Sequence, residues 1–160
     1  MKKLKIYLDT SAIGYLDEQT SPKEMSEMQQ LWELLKRGEY DANISPVVID
    51  ELMANSNIER RDILLGYLQQ IEYDIIDITD DVHATAKSIV RNGVLSDKNY
   101  NDCLHIACAV SSGCDCLVSF NFKHLVNIKT IKGARAISIL RGYGNIDIVS
   151  AAALIQMGDE

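Results

Sequence analysis

The sequence predicts an α/β protein with a central, mainly parallel sheet. Short β-branched and apolar runs alternate along its 160 residues with longer segments of helical periodicity, a pattern typical of βαβ units. There is no internal repeat or low-complexity tract, and the only prolines are Pro22 and Pro46. A chain of this length fits one domain, so we expect residues 1–160 to form a single domain.

The first two predicted elements are a strand at Lys5–Asp9 and a helix that follows Ser21. Ser21 is a suitable N-cap, Pro22 suits the first helical position, and Gly38 is a suitable end. Between them, apolar residues recur at helical spacing, namely Met25, Met28, Leu31, Trp32 and Leu35. These side chains are expected to pack in the core.

The middle of the chain predicts two more strands around one long helical region. "DANISP" indicates a short strand, and "YDIIDIT" indicates another. Between them, "VVIDELMANS" predicts a helix that begins near Glu51, and "IERRDILLGYLQQI" continues it in phase.

The second half predicts two helices, two strands and a final strand–helix unit. "DDVHATAKSIVRNG" has an acidic first turn and ends at Gly93, and the apolar helix "NYNDCLHIACAVSSG" ends at Gly113. "CDCLVSF" and "ARAISIL" are both interpreted as strands. "NIDIVSAAALIQMG" is interpreted as a strand followed by a short helix.

The composition narrows the classes of function. Hydrophobic residues make up 47% and charged residues 24% of the chain, as in ordinary globular proteins. No apolar run approaches the roughly 18 residues of a membrane span, and the N-terminus lacks a signal-peptide pattern, so we expect a cytoplasmic protein. A net charge of −7 argues against broad electrostatic attraction to nucleic acid, although a local basic patch or a metal-neutralised acidic cluster stays possible.

Four cysteines lie in one short stretch, at Cys103, Cys108, Cys114 and Cys116. In the cytoplasm they are expected to be reduced. A zinc site with His105 is one interpretation, but the spacing matches no paired C-x-x-C ligand pattern. Packing on a buried helix and strand is the favoured interpretation.

Polar residues follow several predicted strands, where open α/β sheets place their sites. Carboxylates in apolar segments are costly unless they are paired or bind a metal. Such a cluster suits Mg²⁺ or Mn²⁺, which prefer oxygen ligands and support phosphodiester hydrolysis by an activated water. The residues concerned are Asp9, Asp50, Glu51, Asp102, Ser119 and Asn121.

Four segments in order, "YLDTSAI", "ISPVVIDEL", "NDCLHIACA" and "LVSFNFKHL", resemble those of PIN-domain proteins. This metal-dependent ribonuclease family includes the VapC-like toxins, and the resemblance spans nearly the whole chain. It implies a three-layer α/β/α fold and an endoribonuclease that uses Mg²⁺ or Mn²⁺. It also implies a possible antitoxin partner and a homodimer.

The resemblance also implies roles for individual residues. Asp9, Glu51 and Asp102 would be the metal-binding acids, and Thr10 or Ser11 would orient the site, with support from Ser119. The family usually has aspartate at the fourth position, where this chain has Asn121. An amide oxygen can bind a cation but carries no charge, which weakens the expectation of a second metal.

Several of these positions have plainer interpretations. Asp9 could be a turn residue, and Asp102 could be a favourable charge in the first turn of a helix. Adjacent helix residues point about 100 degrees apart, so Asp50 and Glu51 compete for the inward position, and only the resemblance selects Glu51. His105 lies three residues after Asp102 and could support the site, or be a hydrogen-bonded, partly buried histidine.

The segment around Asn121 offers possible contacts for RNA. Lys123 and His124 could bind RNA phosphates, as could residues in flanking segments, although such lysines are often only solubilising. Phe120 and Phe122 could stack on bases, but core packing is expected for at least one of them. The flanking cations are Lys98, Lys129, Lys132 and Arg135.

Two rival functions belong to other classes. The chain could be a non-catalytic PIN-fold module that binds RNA or protein, which Asn121 favours and the retained acids oppose. It could also be a phosphoacceptor domain that uses Asp9, but "LDTSA" lacks the second aspartate of dehalogenase-type phosphatases.

Overall fold

The computed structural model describes residues 2–158 and contains a five-stranded sheet within this range. Every strand pair is parallel, and the strand order is β3-β2-β1-β4-β5. The α/β prediction with a mainly parallel sheet is therefore confirmed. The strands are β1 (Lys5–Leu8), β2 (Asp41–Ile44), β3 (Asp74–Ile75), β4 (Cys116–Val118) and β5 (Asp147–Val149).

Helices cover both faces of this sheet and give it three layers. Two short 3₁₀ turns, Tyr15–Asp17 and Asp97–Asn99, precede α2 and α6. The helices are α1 (Thr10–Gly14), α2 (Pro22–Lys36), α3 (Pro46–Met53), α4 (Ile58–Leu68), α5 (Asp80–Arg91), α6 (Tyr100–Ser111), α7 (Ile128–Leu140) and α8 (Ala151–Gly158).

Strand β1 lies at the centre of the sheet and fixes where the site forms. Tyr7 pairs in register with Asn43 on β2 and with Leu117 on β4. The chain builds β2 and β3 on one side of β1, and then β4 and β5 on the other. In parallel sheets, the reversal of strand order opens a crevice at the carboxyl ends of the strands. Here the strand order reverses between β1 and β4, so the crevice is expected where these two strands end.

The core is centred on the strands β1, β2 and β4 and on the helix α6, and the other helices pack against it. Residues Ile6, Tyr7 and Leu8 are fully buried, and so is nearly all of α6 from Cys103 to Val110. The predicted helix α2 is present, and it buries Met28, Leu31, Trp32 and Leu35 as its spacing indicates. Gly38 follows α2 at φ +73°, a conformation that favours glycine.

All four cysteines are free and buried, which agrees with the packing interpretation. Burial raises the pKa of Cys103 and Cys108 to about 11 and that of Cys114 and Cys116 to about 12. These thiols therefore stay protonated at neutral pH. Across residues 2–158, no three His, Cys, Asp or Glu side chains come together as a ready-made metal site.

The strand predicted at "ARAISIL" is wrong, because these residues belong to α7. Asn127 caps this helix by accepting a hydrogen bond from the Thr130 N–H (2.9 Å). Ala134, Ile137 and Ser138 are buried, while Ile139 and Leu140 are exposed. This is the burial pattern of one helix face.

The long helix predicted after β2 is also wrong in its bounds. Helix α3 begins at Pro46 rather than near Glu51, because proline suits the first helical position. The chain then breaks, and Asn57 caps a separate helix α4 by accepting from the Arg60 N–H (3.1 Å). "YDIIDIT" pairs only over Asp74–Ile75, at the exposed edge of the sheet.

No helix within residues 2–158 is long and apolar enough to cross a bilayer.

Candidate active site

Asp9 stands at the carboxyl end of β1 and is only 3% exposed. Its backbone N–H still donates to Val118 O (3.3 Å), so the residue extends the ladder between β1 and β4. Its side chain caps α1 by accepting from the Ala12 N–H (2.9 Å). One residue thus ends the central strand and begins the next helix, which places a carboxylate at the crevice.

Two serine hydroxyls complete the hydrogen bonds of Asp9. Ser11 Oγ donates to one carboxylate oxygen (2.7 Å), and Ser119 Oγ donates to the other (2.6 Å). Each hydroxyl also accepts a backbone N–H from the segment after β4, Ser11 from Phe120 and Ser119 from Asn121 (2.9 Å each). Burial raises the pKa of Asp9 despite these hydrogen bonds, so the charged form is held there at a cost.

Glu51 reaches the same region from α3, while its neighbour Asp50 is exposed. Thr10 Oγ1 donates to Glu51 Oε1 (2.6 Å), and His105 Nε2 lies 2.8 Å from the same oxygen. Burial acts to raise the pKa of Glu51. Hydrogen bonds from His105, Thr10 and Asn101, together with the charge of His105, hold that pKa below its usual value.

A buried chain of hydrogen bonds leads from Glu51 into the core. His105 Nδ1 lies 2.6 Å from the Tyr7 hydroxyl, which lies 2.7 Å from Ser45 Oγ. Because a carboxylate only accepts, His105 Nε2 carries a proton, and the Tyr7 hydroxyl links Nδ1 to Ser45 Oγ through two further hydrogen bonds. All three residues of this relay, Ser45, Tyr7 and His105, are buried.

Asp102 lies in the first turn of α6 and has weaker partners. Asn121 Nδ2 is 3.5 Å from Asp102 Oδ2, and Asn121 Oδ1 accepts a hydrogen bond from the backbone N–H of His124 (3.0 Å). Because that N–H can only donate, it fixes the amide oxygen away from Asp102. Asn121 therefore presents an N–H to Asp102, and one lone pair of its amide oxygen is used by the backbone of His124.

The charges at the site act on one another. Burial raises the pKa of Asp102, the charges of His105 and His124 lower it, and the negative charges of Asp9 and Glu51 raise it, with a net upward shift. Asp9, Glu51 and Asp102 therefore influence one another electrostatically, although within residues 2–158 they do not form a ready-made group of three metal ligands. Their oxygens suit a hard divalent cation, which commonly uses one or two carboxylates together with waters and substrate phosphate.

The basic residues predicted beside the site differ in their availability. Lys123 is exposed and His124 is half-buried. Arg135 is ion-paired with Asp147, and its Nε donates to Ile146 O (3.3 Å), so it is committed to β5. The other flanking lysines are exposed, namely Lys98, Lys129 and Lys132.

Comparison with known proteins places these features in a family. The family model of the PIN domain matches residues 6–129. The chain belongs to the PIN-domain family. The matched range contains Asp9, Glu51, Asp102 and Asn121, so all four candidate positions lie inside the PIN domain.

A solved structure shares the fold of this PIN-domain protein. A chain of the crystal structure of VapBC2 from Rickettsia felis, bound to a DNA fragment from their promoter, matches with a TM-score of 0.59 and 18% identity. The match covers 91% of this chain and 98% of that chain. At this identity the likeness shows the fold alone. No curated protein matches the sequence.

Sequence reasoning missed Tyr7, Ser45 and Asn101. Tyr7 lies inside an apolar strand and looks like a core residue, and Ser45 looks like an N-cap before Pro46. Ser45 does occupy the N-cap position of α3, but its hydroxyl makes no capping bond and binds Tyr7 instead. A buried serine that does not cap its helix is recognisable only in the structure.

We expect Tyr7→Phe to lower the free energy of unfolding by about 1–3 kcal/mol, because it leaves His105 Nδ1 and Ser45 Oγ buried without their partner. Ser45→Ala is the matched control and should cost about 1 kcal/mol or less, since Tyr7 keeps its bond to His105. Urea unfolding measures both values. Equal stability of Tyr7→Phe and the wild type would contradict the relay.

We expect Asp102→Asn to stabilise the metal-free protein at neutral pH. A pKa above the usual value of about 3.9 means that the stability contributed by Asp102 is full below that value and is lost as pH rises through the folded-state pKa. The variant should therefore unfold at a higher temperature than the wild type at pH 7 in chelator, and the difference should vanish toward about pH 4. The unfolding temperature of the exposed control Asp50→Asn should match that of the wild type at each pH. An unfolding temperature of Asp102→Asn that also matches the wild type at each pH would contradict this account.

Proposed function

We propose that this PIN-domain protein is a divalent-metal-dependent endoribonuclease that hydrolyses RNA phosphodiester bonds. The observation that supports the proposal is the mutual electrostatic influence of Asp9, at the carboxyl end of β1, Glu51 on α3 and Asp102 on α6. Two of these three carboxylates have a raised pKa, which indicates a site built for positive charge that the protein itself does not supply.

Asp9, Asp102 and Glu51 are the residues that would hold Mg²⁺ or Mn²⁺. A bound divalent cation supplies Lewis-acid polarisation of the phosphoryl oxygen and a lower pKa for an attacking water. Carboxylate oxygens are the donors that such an ion prefers, and one or two of them would be completed by waters and a substrate phosphate.

The chain's own residues position these groups. Ser11, Ser119 and the Ala12 N–H fix both oxygens of Asp9, so this carboxylate cannot rotate away. Thr10 and His105 orient Glu51, whose lowered pKa keeps it ionised, so it can accept a hydrogen bond from the attacking water. Such preorganisation means that little rearrangement is needed when the phosphodiester binds.

The residues that follow β4 would contact the substrate. The amide N–H of Asn121 can donate to a phosphoryl oxygen, in place of the charge that an aspartate would add. Lys123 and His124 are placed beside it to contact flanking phosphates. These contacts would position the RNA backbone without selecting its sequence.

The toxin of a toxin–antitoxin pair is the biological role that we favour. The matching solved structure is of a VapBC2 complex, and its chain has the same fold over 91% of this protein. An antitoxin protein would then block the carboxylate crevice, RNA cleavage would occur in the cytoplasm, and the protein would form a homodimer.

A non-catalytic PIN-fold module that binds RNA or protein is the alternative. Asn121 favours it, because this position contributes a neutral amide whose oxygen already accepts from His124. The two functions differ in one respect, since only the nuclease cleaves RNA in a metal-dependent way.

The test is cleavage of a pool of single-stranded RNA with Mg²⁺, Mn²⁺ or chelator. We expect the wild type to cleave with either metal and not with chelator. Asp9→Asn, Glu51→Gln and Asp102→Asn should each lose at least about 100-fold in rate, because removing a ligand costs at least as much as disturbing its support. Asp50→Asn, which removes an exposed carboxylate next to Glu51, should keep full activity.

Each other result has a definite meaning. Cleavage that survives in all three site variants would contradict the assigned residues. A wild type that binds RNA but never cleaves it would support the binding module instead.

A further inference from the structure

Phe122 is an aromatic residue beside the site, and its exposure to water has no structural explanation. It follows Asn121 directly, and its side chain is 50% exposed, whereas Phe120 two residues earlier is 3% exposed. A phenyl ring half in water loses much of the stabilisation that burial would give it. Its position next to a site residue raises the question of what covers the ring.

The ring of Phe122 contacts a pair of stacked aromatic side chains. It packs edge-on against Phe120, with ring centroids 6.3 Å apart and an interplanar angle of 86°. Phe120 in turn stacks on Tyr15, with centroids 4.4 Å apart and an angle of 9°. Tyr15 ends the helix that Asp9 begins, so the aromatic stack rests on the same element as the carboxylate site.

The backbone that carries Phe122 is also held in place. Its N–H donates to Phe120 O (3.1 Å), and Asn127 Nδ2 donates to Phe122 O (3.4 Å) and Lys123 O (3.0 Å). Thr130 Oγ1 closes the same turn by donating to His124 O (2.7 Å). A ring on such a fixed turn is preorganised, so a ligand that covers it would pay little ordering entropy.

The neighbouring charge identifies the chemistry of that ligand. Lys123 follows Phe122, is exposed, and makes no ion pair with any other residue in the range 2–158. An exposed aromatic face next to a free cation, beside a crevice suited to a phosphodiester, matches a nucleotide with an unpaired base. An apolar protein side chain would cover the ring but would leave Lys123 unmatched.

We infer that Phe122 is a base-stacking site for an unpaired nucleobase next to the phosphodiester at the Asp9–Asp102 crevice, with Lys123 on the adjoining phosphate. The inference rests on the proposed function and adds to it the residue that would hold an unpaired base beside the cleaved bond. A paired base is already stacked on both faces and cannot reach the ring.

The test measures affinity separately from cleavage. A dye-labelled, short single-stranded RNA is titrated in Ca²⁺ by fluorescence anisotropy, and denaturing gels verify that the RNA stays intact. A matched series of RNAs lacks the base at one nucleotide at a time. Phe122→Ala should bind the complete RNA roughly 5- to 150-fold more weakly than the wild type, the range for loss of one base–aromatic stack.

Two variants control for other effects. Phe122→Trp keeps a stacking face and should bind like the wild type. Leu140→Ala removes an apolar side chain that is 72% exposed at the far end of α7, and it should not change RNA affinity. Equal thermal unfolding midpoints for these variants and Phe122→Ala would verify that all of them are folded.

The RNA series decides between stacking and other contacts. For one RNA that lacks a single base, the wild type and Phe122→Ala should bind equally, because the ring then has nothing to cover. If Phe122→Ala binds complete RNA as tightly as the wild type does, the inference is wrong, and Phe122 is left as a contact for a protein partner. Equal weakening on every RNA of the series would also overturn it.

Failure of the proposed function would look different. A wild type that neither binds nor cleaves any RNA would overturn the nuclease and the stacking site together. A wild type that cleaves RNA while Phe122→Ala retains full affinity would overturn the stacking site alone.

Discussion

The burial of one carboxylate, that of Asp9, constrains the rest of the site. The central strand delivers it to the crevice, and the helix that it caps begins in the next residue. Because its oxygens are almost shielded from water, they require donors, and Ser11, Ala12 and Ser119 provide them. These donors come from the two segments that follow β1 and β4, so satisfying one charge also locks the walls of the crevice together.

The three carboxylates differ in their hydrogen-bond partners and in the direction of their pKa shifts. Glu51 has two close partners in Thr10 and His105 and a lowered pKa, whereas Asp102 has one long contact to Asn121 and a raised pKa. The relay behind His105 anchors Glu51 to the core. The protein thus holds one acid ionised and leaves another short of positive charge, an asymmetry that a divalent cation or a substrate-bound ion would relieve.

Sequence alone could predict the parallel sheet and the position of Asp9 at the end of its first strand, because an apolar run that stops at a carboxylate is visible without coordinates. It could not choose Glu51 over Asp50 from the residues, since that choice depends on how α3 is rotated against α6. Nor could it find the relay, because Tyr7 and Ser45 meet only through the pairing of β1 with β2. The strand prediction for "ARAISIL" was wrong because the alternation of apolar residues in this segment also fits a helix whose exposed face carries isoleucine and leucine.

The most direct test of the account is a calorimetric titration of Mn²⁺ into the metal-free protein, because the central claim is that these carboxylates form a cation site. The account predicts saturable binding by the wild type and by Asp50→Asn, and affinity at least about 10-fold weaker for Asp9→Asn and Asp102→Asn. Equal affinity of Asp102→Asn and Asp50→Asn, or no binding by the wild type, would contradict it.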